Sequence, residues 1–288
     1  MALYLLYRIG YFLVNLFPLN FSYGLASFAA YICYLANGRD RASVIKNLET
    51  IVGAGTDKRV LRRLARELYR NFAKYLVDFF RSAKVSKEYV GKFVQVEGAH
   101  NIDAALARGK GVIMLSAHIG NWELGGSVIS LLGYPVSAVV LSHKNKKIDD
   151  FFKRQRLLGK LTPIEMGIAL KTCYKLLNSN KVLALLGDRD FTKNGLMFYF
   201  FGKKTLFPRG ALVLSYRLGA SIIPTVMTRK PDDTFSIRFE EPICADKNKP
   251  EDDAIFELGK KCANRIESYV RQYPTQWYVF KDMWSKDE

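Results

Sequence analysis

Short runs of apolar residues recur along the chain, and segments with a helical hydrophobic period separate them. Residues 112–115 form such a run, and its unbroken apolar character is typical of a parallel strand buried on both faces. Strands are predicted in the same way at residues 93–97, 134–141, 162–164, 181–187, 221–227 and 235–239, and helices at 102–107, 124–132, 148–158, 169–177, 208–218 and 254–273. This alternation predicts an α/β fold in which helices flank a mixed, largely parallel sheet.

The amino-terminal segment has a different pattern. Charged residues are absent from residues 9–38, and Pro18 and Asn20 divide this stretch into two apolar pieces. Each piece is near or below the ~17–25 apolar residues needed to span a bilayer. Two interfacial helices, a re-entrant pair and one short span all fit this length, and so does a helical hairpin buried in a soluble core. We predict a hydrophobic membrane anchor at residues 1–38 and one α/β domain at residues 39–288.

Basic residues follow the apolar stretch at once, at Arg39, Arg41 and Lys46. By the positive-inside rule they place the rest of the chain in the cytoplasm, and a cleaved signal peptide fits poorly because its basic segment would come first. Amphipathic helices are predicted over residues 39–85, with many Arg and Lys residues on their polar faces. Such a face is usually solvated, but beside a membrane anchor it can also meet anionic headgroups.

The whole chain carries 44 Lys and Arg residues against 27 Asp and Glu residues, a formal net charge of +17. This excess indicates an anionic partner, such as nucleic acid, an acidic membrane surface, a phosphorylated substrate or an acidic carrier protein. The apolar amino terminus and the lack of a recognisable nucleic-acid module argue against nucleic acid. The four cysteines are far apart in the sequence and there are only three histidines, so we expect no metal site.

The stretch at residues 111–126 brings the candidate chemistry together. His118 follows the predicted strand at 112–115, and ligands bind beyond the carboxyl ends of strands in open α/β sheets. Glu123 lies five positions later, about 500° around a straight helix, so the two side chains cannot face each other within one helix. They can do so if His118 precedes the helix and Glu123 lies in its first turn, with Asn121 as the predicted N-cap.

In that arrangement the carboxylate accepts from one ring nitrogen of His118 and leaves the other as a base. The alternative is structural: the histidine is hydrogen-bonded in a tight turn, and the helix dipole favours Glu123. The chain has no G-x-S-x-G elbow, no G-x-x-x-x-G-K-[ST] loop and no G-x-G-x-x-G fingerprint. The usual sequence motifs of covalent serine catalysis and of nucleotide hydrolysis are therefore absent. Activation of a substrate hydroxyl by His118 fits the sequence better.

The hexapeptide HIGNWE at residues 118–123 is an H-x4-[DE] motif and resembles that of the glycerolipid and lysophospholipid acyltransferase superfamily. The longer segment around it, AHIGNWELGG, resembles the corresponding segment of the late lipid A acyltransferases (lauroyl and myristoyl transferases) and of the phosphatidylinositol mannoside acyltransferases. Further segments follow in the order of these families: Asn47-Leu48, GDRD at 187–190, FFG at 200–202, PRG at 208–210, LGA at 218–220, Pro224, Ile266-Glu267 and PTQW at 274–277. The motif alone is weakly specific, whereas the ordered set is strong and covers nearly the whole chain.

The resemblance implies a membrane-bound O-acyltransferase of lipid A and lipopolysaccharide biosynthesis, on the cytoplasmic face of a bacterial inner membrane. His118, oriented by Glu123, would take the proton of an acceptor hydroxyl on a phosphorylated glycolipid. The oxygen would then attack the thioester of an acyl carrier protein or coenzyme A. Membrane lipids and this donor are the implied partners, and no acyl-enzyme, metal or further cofactor is implied.

The predicted substrate-binding residues are Arg156, Asp188, Arg189, Asp190, Lys203, Lys204 and Arg209. We expect Arg156 and Arg189 to contact phosphate or the oxyanion, with Asp190 orienting one of them. The last three flank the start of the helix at 208–218, where backbone N–H groups form a natural anion site. Surface ion pairs and a solvated loop are the alternatives for these groups.

Two departures from the family pattern bear on the acceptor. Residues 278–284 read YVFKDMW where lipid A enzymes usually carry an H-x-R-F-like ending, and Arg189 stands where glutamine is usual. A different glycolipid or a lysophospholipid, for example a phosphatidylinositol mannoside, is therefore the alternative acceptor. The rival functions are a noncatalytic, basic lipid-binding membrane protein and a thioesterase that uses the same base on water.

Overall fold

The computed structural model describes residues 1–284, so the last four residues of the predicted domain at 39–288 lie outside the described residues. Within that range the helices are α1 (Ala2–Leu16), α2 (Leu19–Ala36), α3 (Gly38–Val52), α4 (Lys58–Phe80), α5 (Lys87–Phe93), α6 (His100–Leu106), α7 (Trp122–Leu131), α8 (Lys146–Leu158), α9 (Ala169–Asn178), α10 (Gly210–Leu218) and α11 (Glu251–Gln272). The strands are β1 (Val94–Glu97), β2 (Val112–Ser116), β3 (Val136–Val140), β4 (Thr162–Glu165), β5 (Val182–Leu186), β6 (Leu196–Phe200), β7 (Lys203–Phe207), β8 (Ser221–Arg229) and β9 (Phe235–Phe239).

Seven strands form one sheet in the order β1-β9-β8-β2-β5-β3-β4. β8, β2, β5, β3 and β4 run parallel, β9 pairs antiparallel with β8, and β1 pairs parallel with β9. The predicted mixed, largely parallel sheet is thereby confirmed. The antiparallel hairpin of β6 (LMFYF) and β7 (KKTLF) lies outside every predicted element, because neither strand alternates between apolar and polar residues. Its turn is formed by Phe201 and Gly202, both with positive φ.

Helices cover the sheet on both faces, as parallel strands require. Alternate side chains of β2 point to opposite sides: Val112 and Met114 pack with α7, whereas Ile113 and Leu115 pack with α9, α10 and α11. All four side chains are buried. The helices therefore hold the sheet from both sides and leave the carboxyl ends of its parallel strands free to build a site.

The amino-terminal helices α1 and α2 are separated at Phe17 and Pro18, where the sequence predicts a division. On their inner side, Val14 and Tyr23 belong to an apolar cluster with Phe79 of α4 and Phe152 of α8. Their outer side carries large exposed apolar side chains, which are Leu3, Leu5, Leu6, Ile9, Phe12, Leu16, Phe21, Leu25, Phe28, Tyr31, Ile32 and Leu35. We call this set the apolar face. By length and composition, α2 is able to cross a membrane.

Helix α2 runs antiparallel along α4. Near the amino end of α2, the Tyr23 hydroxyl donates a hydrogen bond to Asp78 at the carboxyl end of α4. Near its carboxyl end, the ring of Tyr34 packs edge-on against Tyr69, with 5.5 Å between the ring centroids. Because contact extends over this length, α2 is part of the helical layer around α4.

Candidate active site

The carboxyl ends of β2 and β5 lie side by side. The two strands pair in parallel register, with Ser116 opposite Leu186. His118 and Asp188 each follow these residues by two positions, so the register of the strands continues into the two loops. This places the histidine and the aspartate next to each other, with His118 in the wall of a cavity.

The imidazole of His118 is held at one nitrogen by Asp188. Nδ1 lies 2.8 Å from Asp188 Oδ1, and the backbone N–H of His118 donates to Oδ2 over 3.1 Å. The indole N–H of Trp277 donates to the same Oδ2 over 3.0 Å. The Asp188 side chain is fully buried, whereas that of His118 is 20% exposed. Nε2 is therefore the ring nitrogen that is left to meet a substrate.

Asp188 is held in its ionised form. Burial alone would raise its pKa, but the charge and hydrogen bond of His118, the nearby Arg189 and the hydrogen bond from Trp277 together hold the pKa well below the usual range of an aspartate. An ionised Asp188 accepts from Nδ1–H and fixes that tautomer of His118. Its charge would also stabilise an imidazolium if Nε2 were to take a proton.

Glu123 has a different partner from the predicted one. It lies in the first turn of α7, as expected, but its Oε1 accepts from Arg156 of α8, at 2.9 Å from Nε and 2.6 Å from Nη2. The two side chains are 7% and 12% exposed. Because Asp188 occupies the Nδ1 side of His118, the expected His118–Glu123 hydrogen bond is replaced by a His118–Asp188 bond and a Glu123–Arg156 ion pair.

Removing the cation of this pair is expected to destabilise the protein. Arg156→Met leaves the buried Glu123 without its counter-charge, which costs about 3–5 kcal/mol for a buried pair. The double variant Arg156→Met/Glu123→Gln removes that isolated charge and should recover most of the loss. Urea unfolding of both variants measures the difference, and wild-type stability of Arg156→Met alone would contradict a buried pair.

The turn between His118 and α7 requires glycine at position 120. Gly120 has a φ of 61°, and a Cβ there would lie 1.8 Å from the backbone oxygen of Met227. This close approach lets the N–H of Asn121 donate to the same oxygen over 2.8 Å. The Asn121 side chain in turn accepts from Leu124 N–H over 3.1 Å, which confirms it as the N-cap of α7.

We expect Gly120→Ala to lower the free energy of unfolding by about 3 kcal/mol or more, because left-handed backbone strain and overpacking each cost about 1–3 kcal/mol. Gly91→Ala in α5 is the matched control, since a Cβ there meets no atom within 4 Å. The control should be neutral or stabilising by up to about 1 kcal/mol. Thermal unfolding of the two variants checks both expectations, and equal midpoints would contradict the close packing of the turn.

A buried polar cluster lies behind this turn, and the sequence did not reveal it. Asp78 of α4 accepts from Asn121 Nδ2 over 2.8 Å and from the Tyr23 hydroxyl, and it forms an ion pair with Arg229 at the end of β8. The cluster thus connects α2 to the N-cap of α7. Its members are far apart in sequence, and the one local signal is a single carboxylate inside the apolar run LVDFF at residues 76–80.

Two of the other predicted binding residues, Arg189 and Arg209, lie in the cavity wall. Arg189 lies beside the His118–Asp188 pair: its Nη2 donates to the carbonyl of Tyr278, and its Nε is 3.9 Å from Asp188 Oδ2. Arg209 is the exposed N-cap residue of α10, and it also lies in the cavity wall.

Asp190, Lys203 and Lys204 do not take the predicted positions. Asp190 lies in the cavity wall but pairs with neither predicted arginine; it accepts from the Thr192 hydroxyl over 2.8 Å and from Gly195 N–H over 3.2 Å. Lys203 and Lys204 begin β7, so the rest of that strand lies between them and α10, and neither lies in the cavity wall. The sequence placed them at the helix because the hairpin was not predicted.

The cavity has a volume of about 580 Å³, within the range of small-molecule sites. Besides His118, the polar side chains in its wall include Glu123, Arg156, Arg189, Asp190 and Arg209. Apolar side chains line the part between the sheet and α7, which are Met114, Ile129, Ala138, Leu161, Ala184, Met227 and Ile237. Within residues 1–284, no cluster of three or more His, Cys, Asp or Glu side chains is placed to hold a metal ion.

Comparison with known proteins identifies the family. The family model described as bacterial lipid A biosynthesis acyltransferase matches residues 1–286. The chain belongs to this family. The resemblance inferred from the ordered motifs is confirmed, and the protein is an acyltransferase of the lipid A and glycolipid type.

Named relatives act on two kinds of glycolipid. A phosphatidylinositol mannoside acyltransferase of Mycolicibacterium smegmatis is 25% identical over 98% of this chain and 91% of its own length. A second protein of that name, from Mycobacterium tuberculosis, is 23% identical over 75% of this chain and 69% of its own. The lipid A biosynthesis palmitoleoyltransferase of Escherichia coli is 24% identical over 73% and 69%. The apolar face of α1 and α2 indicates that this acyltransferase associates with a membrane.

Proposed function

We propose that the protein is a membrane-bound O-acyltransferase that transfers a fatty acyl chain from an acyl carrier protein or coenzyme A thioester to a hydroxyl of a phosphorylated glycolipid. The first candidate acceptor is a lipid A precursor, and a phosphatidylinositol mannoside is the second. The observation that carries this proposal is the His118–Asp188 pair, whose histidine lies in the wall of a cavity with a largely apolar lining. The expected location is the cytoplasmic face of a bacterial inner membrane.

The proposed reaction needs one base and no protein nucleophile. Nε2 of His118 takes the proton of the acceptor hydroxyl while its oxygen attacks the thioester carbonyl. The tetrahedral intermediate collapses, the carbon–sulfur bond breaks, and the imidazolium returns the proton to the leaving thiolate. An ester and a free thiol result, and the histidine is regenerated without an acyl-enzyme.

In this scheme Asp188 takes the orienting role that the sequence predicted for Glu123. Glu123 acts on the site through Arg156, whose guanidinium it holds at the cavity wall. A fixed guanidinium there is suited to an oxyanion or a substrate phosphate. Arg189 and Arg209 are the further cations for the same purpose, and Arg209 adds the amino end of α10.

The apolar part of the cavity is suited to the acyl chain. Its walls come from buried side chains of the sheet and α7, for example Met114 and Met227. Glycines 125 and 126 widen it on the α7 side, since a Cβ at Gly126 would lie 3.0 Å from Leu161. Burial of an alkyl chain contributes about 0.8 kcal/mol per CH₂ group. The chain would thus hold the thioester close to His118.

Membrane attachment through the apolar face is also part of the proposal. Helix α2 packs along α4, which carries many charged residues, and this packing argues against a span formed by α2 alone. Of the alternatives left open by the sequence, an interfacial anchor of α1 and α2 fits this packing better than a single span.

Thioester-release assays with the purified, lipid-reconstituted protein test the function. Acyl carrier protein and coenzyme A thioesters are supplied separately, with and without a lipid A precursor or a phosphatidylinositol mannoside. We expect steady release only when donor and acceptor are both present, and mass spectrometry of the lipid should show the added acyl chain. Release without an acceptor would indicate a thioesterase, and membrane binding without release would indicate a noncatalytic lipid-binding protein.

A further inference from the structure

The amino-terminal half of α4 presents a row of unpaired cations. Over residues 58–70 of this helix the exposed basic side chains are Lys58, Arg59, Arg62, Arg63, Arg66 and Arg70, and we call this set the cationic face. Within residues 1–284, none of the six takes part in an ion pair. The carboxylate of this half-helix, Glu67, is only partly exposed and accepts from the Thr275 hydroxyl over 3.2 Å.

This arrangement is unfavourable for the helix itself. Cations near a helix amino terminus oppose the helix dipole, which favours negative charge there. Arg62 and Arg66, and likewise Arg66 and Arg70, are like charges four residues apart, and such pairs destabilise a helix. Local helix stability therefore does not account for the cationic face, whereas an anion outside the protein would offset its cost.

The position of the cationic face relates it to the membrane anchor. Since α2 runs antiparallel along α4, the carboxyl end of α2 lies toward the amino-terminal half of α4, where Tyr34 meets Tyr69. At that end the apolar face stops at Leu35, and the chain continues with the exposed Arg39 and with Arg41, which donates to the Tyr34 carbonyl. Apolar and cationic surfaces thus adjoin at one end of α2.

We propose that the cationic face binds the anionic headgroups of the bilayer that receives the apolar face. This inference rests on the membrane attachment in the proposed function and adds the lipid class that the protein requires. Headgroups surround the apolar layer of a bilayer, so the same adjacency of apolar and charged surfaces occurs on both partners. An acidic carrier protein is the competing occupant, and the continuity with the apolar face favours the lipid.

The expected size of the effect follows from the number of cations. Each Lys or Arg near an anionic membrane surface strengthens partitioning by about fivefold at physiological ionic strength, so three arginines contribute on the order of 100-fold. Added salt should reduce this electrostatic contribution to membrane partitioning, because exposed charges are screened. Binding through the apolar face should respond weakly to salt.

Vesicle flotation of the full chain tests the proposal. The variant is Arg62→Glu/Arg66→Glu/Arg70→Glu, and the vesicles are phosphatidylcholine with or without phosphatidylglycerol. The matched control is Lys171→Glu/Lys175→Glu/Lys260→Glu, an equal charge change on exposed lysines of α9 and α11 outside the ion pairs of residues 1–284. Circular dichroism and thermal unfolding confirm that each variant is folded.

We expect the α4 variant to lose at least about 100-fold in partitioning to the anionic vesicles, because it removes three attractive charges and adds three repulsive ones, and to lose little to pure phosphatidylcholine. The control should retain wild-type partitioning. Equal losses in the two variants, or an unchanged α4 variant, would overturn the proposal. So would an α4 variant that binds vesicles normally but shows a raised KM for the acyl carrier protein donor. If the wild type binds neither vesicle, membrane attachment itself is wrong.

Discussion

His118→Ala is expected to lower kcat for acyl transfer by about 10³–10⁴-fold, at the upper end of what a positioned general base contributes. Its Nε2 faces the cavity side and has no substitute of the same chemistry at Asp188, which is fully buried and already bonded to Nδ1. The fold should survive, because Asp188 keeps its hydrogen bond from Trp277. Acceptor-dependent thioester release by the reconstituted variant measures the loss.

His143→Ala is the control for that substitution. His143 lies in the wall of the same cavity, and its ring packs against Phe152 at a centroid distance of 4.7 Å. We expect less than a tenfold change in kcat, since no step of the proposed reaction uses the side chain of His143. A loss as large as that of His118→Ala would mean that the base has been assigned to the wrong histidine.

Asp188→Asn is expected to lower kcat by about 10²-fold or more. The amide offers one acceptor oxygen where the carboxylate uses two, and it carries no charge to stabilise the imidazolium. Its NH₂ group can also donate to Nδ1, which would place the ring proton on Nε2 and remove the base. The KM for the acceptor should change little, because Asp188 has no access to the cavity.

The pH dependence of stability gives a second measurement on the same variant. The pKa of Asp188 is lowered in the folded protein, so its contribution to stability is present above the unfolded pKa of an aspartate and is lost as pH falls through the lowered value. Asp188→Asn should therefore be less stable than wild type at neutral pH, and the difference should shrink below about pH 4. Asp190→Asn is the control, because Asp190 is bonded within its own loop.

Local patterns predicted the elements of the sheet well. The apolar runs at 112–115 and 181–187 became β2 and β5 with bounds shifted by one residue, since burial on both faces leaves a continuous apolar segment. The hairpin of β6 and β7 escaped prediction because neither strand has a regular alternation of apolar and polar residues: β6 reads LMFYF and β7 reads KKTLF. The division of the anchor near Pro18 was also predicted, whereas its packing along α4 depends on contacts that no local pattern encodes.

The site was predicted only in part, and the reason is strand order. The sequence showed that His118 and Asp188 each follow a predicted parallel strand, but not that β2 and β5 are neighbours in register. Spacing alone offered Glu123 as the partner of His118, because it is the carboxylate nearby in the chain. In the structure, Glu123 instead forms an ion pair with Arg156, which lies on another helix and was predicted to bind substrate.

We infer that His118 and Asp188 act as one catalytic unit in acyl transfer. The most direct measurement is kcat/KM of the double variant His118→Ala/Asp188→Asn, compared with both single variants and wild type under one donor and acceptor. Groups that work as a unit show strongly non-additive losses. We predict that the double variant is no slower than His118→Ala within about twofold, because Asp188 has no catalytic role without the imidazole. If the loss in kcat/KM of the double variant equals the product of the two single losses, the pairing is contradicted and Glu123 becomes the candidate partner of His118 again.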